Sequence, residues 1–329
     1  MMKPTSWILP VLFALFLLPA PTQAGSGSLD QARTLFQQGK FKQAQARLKE
    51  ARSHSADKST IPYYLGRIAL HNHERARAVD LLQQAVEKAG DQADHHYWLG
   101  RAYGERAKHA NIFQRAYFAS HTKKEFKKAV EADPDHVHAR VALVMYTLQA
   151  PGVLGGSRAE AEAQAKAVAQ RNQVAGLRAR GLLQEQAGNP DKALSLYREA
   201  TRIAPDRNPP HRWLAGLLRN QGRYQEAFAV YEDRMNADQP DRVAFYEFAL
   251  TAEKANRRLE EAEERLHTYL ERGSAPEQPS RADALVLLGQ VLEKQGRIGR
   301  ARTALRNALN RAPEHPRAEA VLEPLKAGL

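Results

Sequence analysis

Residues 181–205 read GLLQEQAGNPDKALSLYREATRIAP, and the order of small, turn-forming and helix-ending residues in this stretch decides the fold. Gly181 lies inside an apolar helical stretch, Gly188 marks a turn, Ala193, Tyr197 and Ala200 follow at helical spacing, and Pro205 closes the unit. Outward from here the small residue recurs every thirty-four positions at Ala215 and Ala249, and an earlier run, Ala32, Gly66 and Gly100, keeps the same spacing before a break. The companions recur with it. Gly289 leads to Gly296, Ala301, Leu305, Ala308 and Pro313; Ala32 leads to Gly39, Phe41, Ala44, Leu48 and Ala51; Ala215 leads to Gly222, Tyr224, Ala227 and Tyr231. A fixed period of this size means a stack of like supersecondary units, each resting on its neighbours. The small residues let two helices approach closely. Gly39, Gly188, Gly222 and Gly296 fall where a tight turn needs positive φ, and proline ends the second helix.

This residue order resembles the tetratricopeptide repeat. The resemblance implies an all-α, right-handed α-solenoid of about eight helix–turn–helix units, here over residues 25–316, with a C-terminal capping helix over 317–329. The cap expectation rests on Ala318, Val321, Leu322 and Leu325, at helical spacing after Pro316. The turn at Asn256–Leu259 carries an extra residue, and residues 273–280, Gly-Ser-Ala-Pro-Glu-Gln-Pro-Ser, read as a loop that lengthens one join.

The third and fourth units, residues 94–172, depart from the period. After Gly100 the second helix is delayed, and the insert carries Ile112, Phe113, Tyr117 and Phe118; residues 149–157 then break the next turn with Pro151, Gly152, Gly155 and Gly156. The pairing resembles a subgroup of exported bacterial repeat proteins. Two readings stand: the insert lengthens both helices and the loop packs over them, or Phe113, Tyr117, Val153 and Leu154 line a pocket for a small apolar or amphiphilic ligand.

Lys3 followed by the apolar run Trp7–Leu18 and by Thr22-Gln23-Ala24 reads as a secretory leader over 1–24, cleaved near Ala24/Gly25; the run is too short to span a bilayer. The chain has no cysteine, so disulfides and thiolate metal sites are excluded, which suits an oxidising compartment such as the bacterial periplasm. The net charge is +12, of which Lys3 supplies one. Nucleic acid is the reflex partner of a basic chain, but export and the interspersion of Arg with Glu argue against it.

In the family resembled, the first helix of each unit lines a concave groove. Arg33, Arg67 and Arg101 stand one residue after the small position; Tyr63, Tyr97, Arg178, Arg212 and Tyr246 stand three before it. These offsets lie one turn apart on one helix face, so stacking aligns them as an Arg/Tyr ladder for a protein or peptide with an acidic segment. Paired asparagines of a strict carboxylate clamp are missing at these offsets. The alternative is that these arginines pair with acids of adjacent helices.

No cofactor or metal is expected. His71 and His73, His95 and His96, and His136 and His138 lack the i, i+4 spacing that aims two imidazoles along one face. Gly155-Gly156-Ser157 is no nucleophile elbow, and Glu260, Glu261, Glu263 and Glu264 read as a solvated face. Lys123, Lys124, Lys127 and Lys128 form a basic run that is either a solvated face or a peripheral contact with an anionic membrane. The chain thus reads as a non-enzymatic scaffold or adaptor for envelope assembly or secretion.

Overall fold

A computed structural model describes residues 24–51, 58–238 and 240–326. Apart from Ala24, the expected leader lies outside these residues.

The described residues form seventeen α-helices, one short 3-10 turn and no strand. Sixteen helices stack as antiparallel pairs: α1 (Ala24–Gln37) with α2 (Phe41–Ala51), α3 (Thr60–His71) with α4 (Arg75–Ala89), α5 (Ala93–His109) with α6 (Ile112–Ala132), and α7 (Val137–Gln149) with α8 (Arg158–Arg171). The second half repeats the plan: α9 (Gln173–Gln186) with α10 (Pro190–Ile203), α11 (Asn208–Asn220) with α12 (Tyr224–Asn236), α13 (Arg242–Ala255) with α14 (Leu259–Arg272), and α15 (Arg281–Lys294) with α16 (Ile298–Arg311). A last helix, α17 (Ala318–Lys326), packs on α16 and buries Ala318, Leu322 and Leu325. This is the α-solenoid that the period predicts.

The small residues act as expected. A methyl group on Gly66 would lie 2.6 Å from Leu82 Cγ, and one on Gly289 would lie 2.7 Å from Leu305 Cγ. Both leucines are fully buried, so the helix pairs are as close as these side chains permit. Gly39, Gly188, Gly222 and Gly296 all have φ between 73° and 76°. In the second unit the equivalent residue is His73, which takes φ 64° despite its side chain. The irregular turn after α13 places Asn256 and Arg258 at positive φ instead.

The insert lengthens α5 and α6 to 17 and 21 residues, longer than any other described helix. The loop after α7 packs against α6. Lys123 Nζ donates to the Gly155 carbonyl at 2.7 Å, Tyr146 Oη donates to the Leu154 carbonyl at 2.7 Å, and the Ser157 side chain caps α8. Lengthening and packing thus describe the insert. Three of the four side chains expected to line a pocket face water, Phe113 at 89% exposure, Val153 at 93% and Tyr117 at 53%; Leu154 is half-buried and borders an open hollow beside Lys123, Lys124 and Lys127. Every residue from Asn111 to Tyr117 is exposed, and the Tyr117 ring packs on its own helix, against Phe118 and His121.

The array does not end in open solvent. Its second unit meets the last two across more than 200 residues of sequence. His71 Nε2 lies 3.3 Å from Ser274 Oγ, His73 Nε2 lies 3.2 Å from an Asp283 oxygen, and an Arg75 Nη donates to the Glu314 carbonyl at 3.1 Å. Gly39, in the first turn, packs so tightly on the Ser274 carbonyl that a methyl group has no room. The join at residues 273–280 is therefore the surface on which the stack closes upon itself.

Candidate functional site

The closure frames a cleft of about 220 Å³ between α1, α3, α5 and the 273–280 loop. Arg67, on α3, is held by aromatic rings. Its guanidinium carbon lies 4.0 Å from the Trp98 ring centre, 4.7 Å from that of Phe36 and 5.3 Å from that of Tyr63. Arg67 also donates to Tyr63 Oη at 3.1 Å. Arg101, one turn beyond Trp98 on α5, places its guanidinium carbon 4.3 Å from the same indole. Cation–π contacts of this kind stabilise by about 0.5–2 kcal/mol each. They fix two planar cations at one place, with donors turned to the cleft.

Those donors meet a carboxylate of the chain itself. Glu277, in the loop, accepts from an Arg67 Nη at 3.3 Å and lies 3.9 Å from an Arg101 Nη. Arg67 is only 13% exposed, whereas Glu277 is half exposed. A half-exposed ion pair adds about 0–1 kcal/mol, so the cationic seat is rigid and its occupant is loosely held. Arg67 Nε is buried without a hydrogen-bond partner.

Of the other ladder residues, Tyr63 and Tyr97 border this cluster, beside Arg67 and Arg101, whereas Arg33, Arg178, Arg212 and Tyr246 make their contacts elsewhere. Arg33 pairs with Asp30 on its own helix. Arg212 gives both oxygens of the buried Asp241 a hydrogen bond at 3.2 Å, and Arg178 stacks over Trp213 at 4.9 Å. For Arg212 the alternative of pairing with an acid of a neighbouring helix describes the contact; Arg33 pairs within its own helix. Tyr97 is half-buried among Phe126, His136 and His138. Tyr63 is buried, and burial raises its hydroxyl pKa, so it serves as a neutral acceptor for Arg67. Tyr246 corrects the expectation most sharply: it lies in the core against Tyr269 and offers no surface to a partner. The continuous ladder is replaced by one compact cluster at one end of the stack.

Trp98 and Glu277 are the residues that the sequence reading passed over. Trp98 precedes Arg101 by one helical turn, a spacing visible in the sequence. Glu277 gave no signal, because a loop carries no period.

Beside the cleft, His73, Asp283 and His315 converge, with one ligand atom from each within 4.8 Å of the others. Spacing along the chain could not reveal this group, since three distant segments supply it. His315 Nδ1 accepts the Arg317 backbone N–H at 3.3 Å, so in the neutral ring Nε2 carries the proton and donates to Asp283 Oδ1 at 3.1 Å. Ser280 donates its N–H and its hydroxyl to Asp283 Oδ2, each at 2.7 Å. Burial alone would raise the Asp283 pKa, but hydrogen bonds from His315, His73 and Ser280 outweigh it and hold the carboxyl well below the usual range. The group works as a hydrogen-bonded clasp. Its imidazole nitrogen already bears a proton where a metal would need a lone pair.

Two family models, each described as tetratricopeptide repeat, match this sequence, one over residues 35–102 and 185–252 and the other over 155–208 and 246–319. The chain belongs to the tetratricopeptide-repeat family. Neither description names a catalytic activity. No curated protein matches the sequence. Among solved structures, this tetratricopeptide-repeat chain is similar to a thermophilic TPR protein of Thermus thermophilus, at 19% identity and TM-score 0.50, covering 59% of this chain and 98% of that one. It is also similar to yeast Tom70, at 12% identity and TM-score 0.53, covering 92% of this chain and 81% of that one. At these identities the likeness is one of fold.

Proposed function

We propose that this tetratricopeptide-repeat chain is an exported, non-enzymatic scaffold that binds a protein or peptide through an acidic segment, and serves envelope assembly or secretion. The observation that carries the binding reading is Glu277 on Arg67 and Arg101, with both guanidinium groups over Trp98. A side chain of this loop stands where a partner's carboxylate would bind, on the Nη donors of both arginines. Two neighbouring arginines seated on an aromatic floor suit recognition of a planar carboxylate. The leader-like N-terminus and the lack of cysteine support export.

The test uses fluorescence anisotropy of a short labelled Glu-rich peptide and of its Gln-rich counterpart. The Glu-rich peptide should bind, and Arg67→Gln with Arg101→Gln should abolish binding while helicity is kept. Equal binding of both peptides, or binding retained by the double variant, would overturn the reading. Affinity capture from an envelope extract, with the double variant alongside, would then identify the client and test the location.

A further inference from the structure

Among the described residues, the exposed large apolar side chains are Ile112, Phe113, Tyr117 and Val153, and all four occupy one region. Three stand on the first turns of α6, where every residue from Asn111 to Tyr117 is exposed. The fourth stands on the 3-10 turn that Lys123 ties to α6. Apolar residues scattered singly over a surface need no explanation; three within the first turns of one hairpin tip, with a fourth on a loop tied to the same helix, do.

The charge around the tip is mainly basic; the nearest acid, Glu105 on α5, pairs with Lys108 at 2.6 Å. From Arg106 to Lys124 the sequence contains Arg106, Lys108, Arg115, Lys123 and Lys124, and neither Asp nor Glu. Farther along α6 the charge is not free: Lys123 and Lys127 both pair with Glu160, at 2.6 and 3.3 Å. The lysine run is therefore partly neutralised, as is Lys108, whereas among the described residues Arg106, Arg115 and Lys124 pair with no carboxylate. The shape of the tip also discriminates between occupants. A protein interface needs about 800 Å² per partner with a packed centre. A helix end exposed on every side offers on the order of 400 Å² in three side chains. Such a tip suits a fluid, deformable phase. No described helix is long and apolar enough to cross a membrane.

We infer that the α5–α6 hairpin tip is a peripheral docking site for an anionic lipid bilayer. Ile112 and Phe113 enter the interface between headgroups and acyl chains, Tyr117 and Val153 rest at its edge, and Arg115 lies among the phosphates, joined by Lys108 where a phosphate displaces Glu105. Each signal alone gives weak binding; an apolar wedge with a basic collar supplies both. The inference is independent of the groove, which uses other residues.

The test is sedimentation of the full chain with phosphatidylcholine vesicles, with and without about a third phosphatidylglycerol. Binding should require the anionic lipid and weaken as salt is raised. Ile112→Ser with Phe113→Ser should weaken binding about tenfold or more. Because these side chains face water, the melting of the variant should match that of the parent. Lys108→Glu with Arg115→Glu should lose binding as well. Phe113→Trp gives a second readout, a blue shift of emission on adding anionic vesicles. A chain that stays in the supernatant with anionic vesicles overturns the inference, as does a serine variant that sediments like the parent.

Discussion

At His73 the backbone holds φ 64°, where the other well-formed turns place glycine. A side chain in this left-handed region costs about 1–2 kcal/mol. The imidazole offsets that cost by reaching Asp283 and the Ser280 hydroxyl across the closure. His73→Gly should therefore relieve the turn while loosening the join between the second and last units. A gain in the urea midpoint of a fragment spanning the early units, with expansion of the whole chain by small-angle scattering, would show both effects. Glu277 presents the opposite case: its contacts stabilise little and occupy much. Glu277→Gln should tighten binding of a Glu-rich peptide several-fold by removing the resident competitor, as anisotropy titration would record. Gly289→Ala should destabilise by roughly 1–2 kcal/mol in urea unfolding, because overpacking against the buried Leu305 exceeds the helix-propensity gain.

Elements were legible in the sequence to the extent that their causes are local. Gly181, Ala193 and Tyr197 each mark a packing requirement met within one unit, so thirty-four-residue spacing foretold the helix pairs. Residues 112–118 were legible as a helix with bulky apolar side chains, but not as an exposed tip, since exposure depends on tertiary packing. The loop at 273–280 was legible only as a lengthened join. Its partners, Arg67 and His71, lie some 200 residues away, and no periodicity links a loop to a distant cleft. Tyr246 was misread for a related reason: its offset matches that of Tyr63, yet Tyr269 and the seventh unit's core enclose it. Replacing Pro276-Glu277-Gln278 by Gly-Ser-Gly should uncover the cationic seat while α14 and α15 keep their pairing. Circular dichroism should then be unchanged while peptide affinity rises.

For the molecule as a whole, the closure should respond to acid. His71 faces Ser274 across it, and burial draws the imidazole pKa down from 6.5 to about 4, opposed by Asp283 and reinforced by His73. An opened chain takes up this proton near pH 6.5, the closed chain only near 4. The closed form is thus fully favoured above pH 6.5 and loses up to about 3 kcal/mol as pH falls to 4. The Asp283 carboxyl stays ionised throughout this window, so it does not shift the transition. Scattering at pH 7.5 and 4.5 should show expansion at the lower value, and His71→Phe should suppress it.

A stack held only by neighbour contacts frays from its ends, because each terminal unit has one side bare. Where Gly39, His71 and His73 rest on Ser274, Ser280 and Asp283, the early units gain a second support. Peeling is then blocked until that join parts, and melting changes from gradual unzipping to a more concerted loss. Amide protons of α3 should exchange nearly as slowly as those of α13 in the parent, and much faster in any variant whose ring of repeats has been cut.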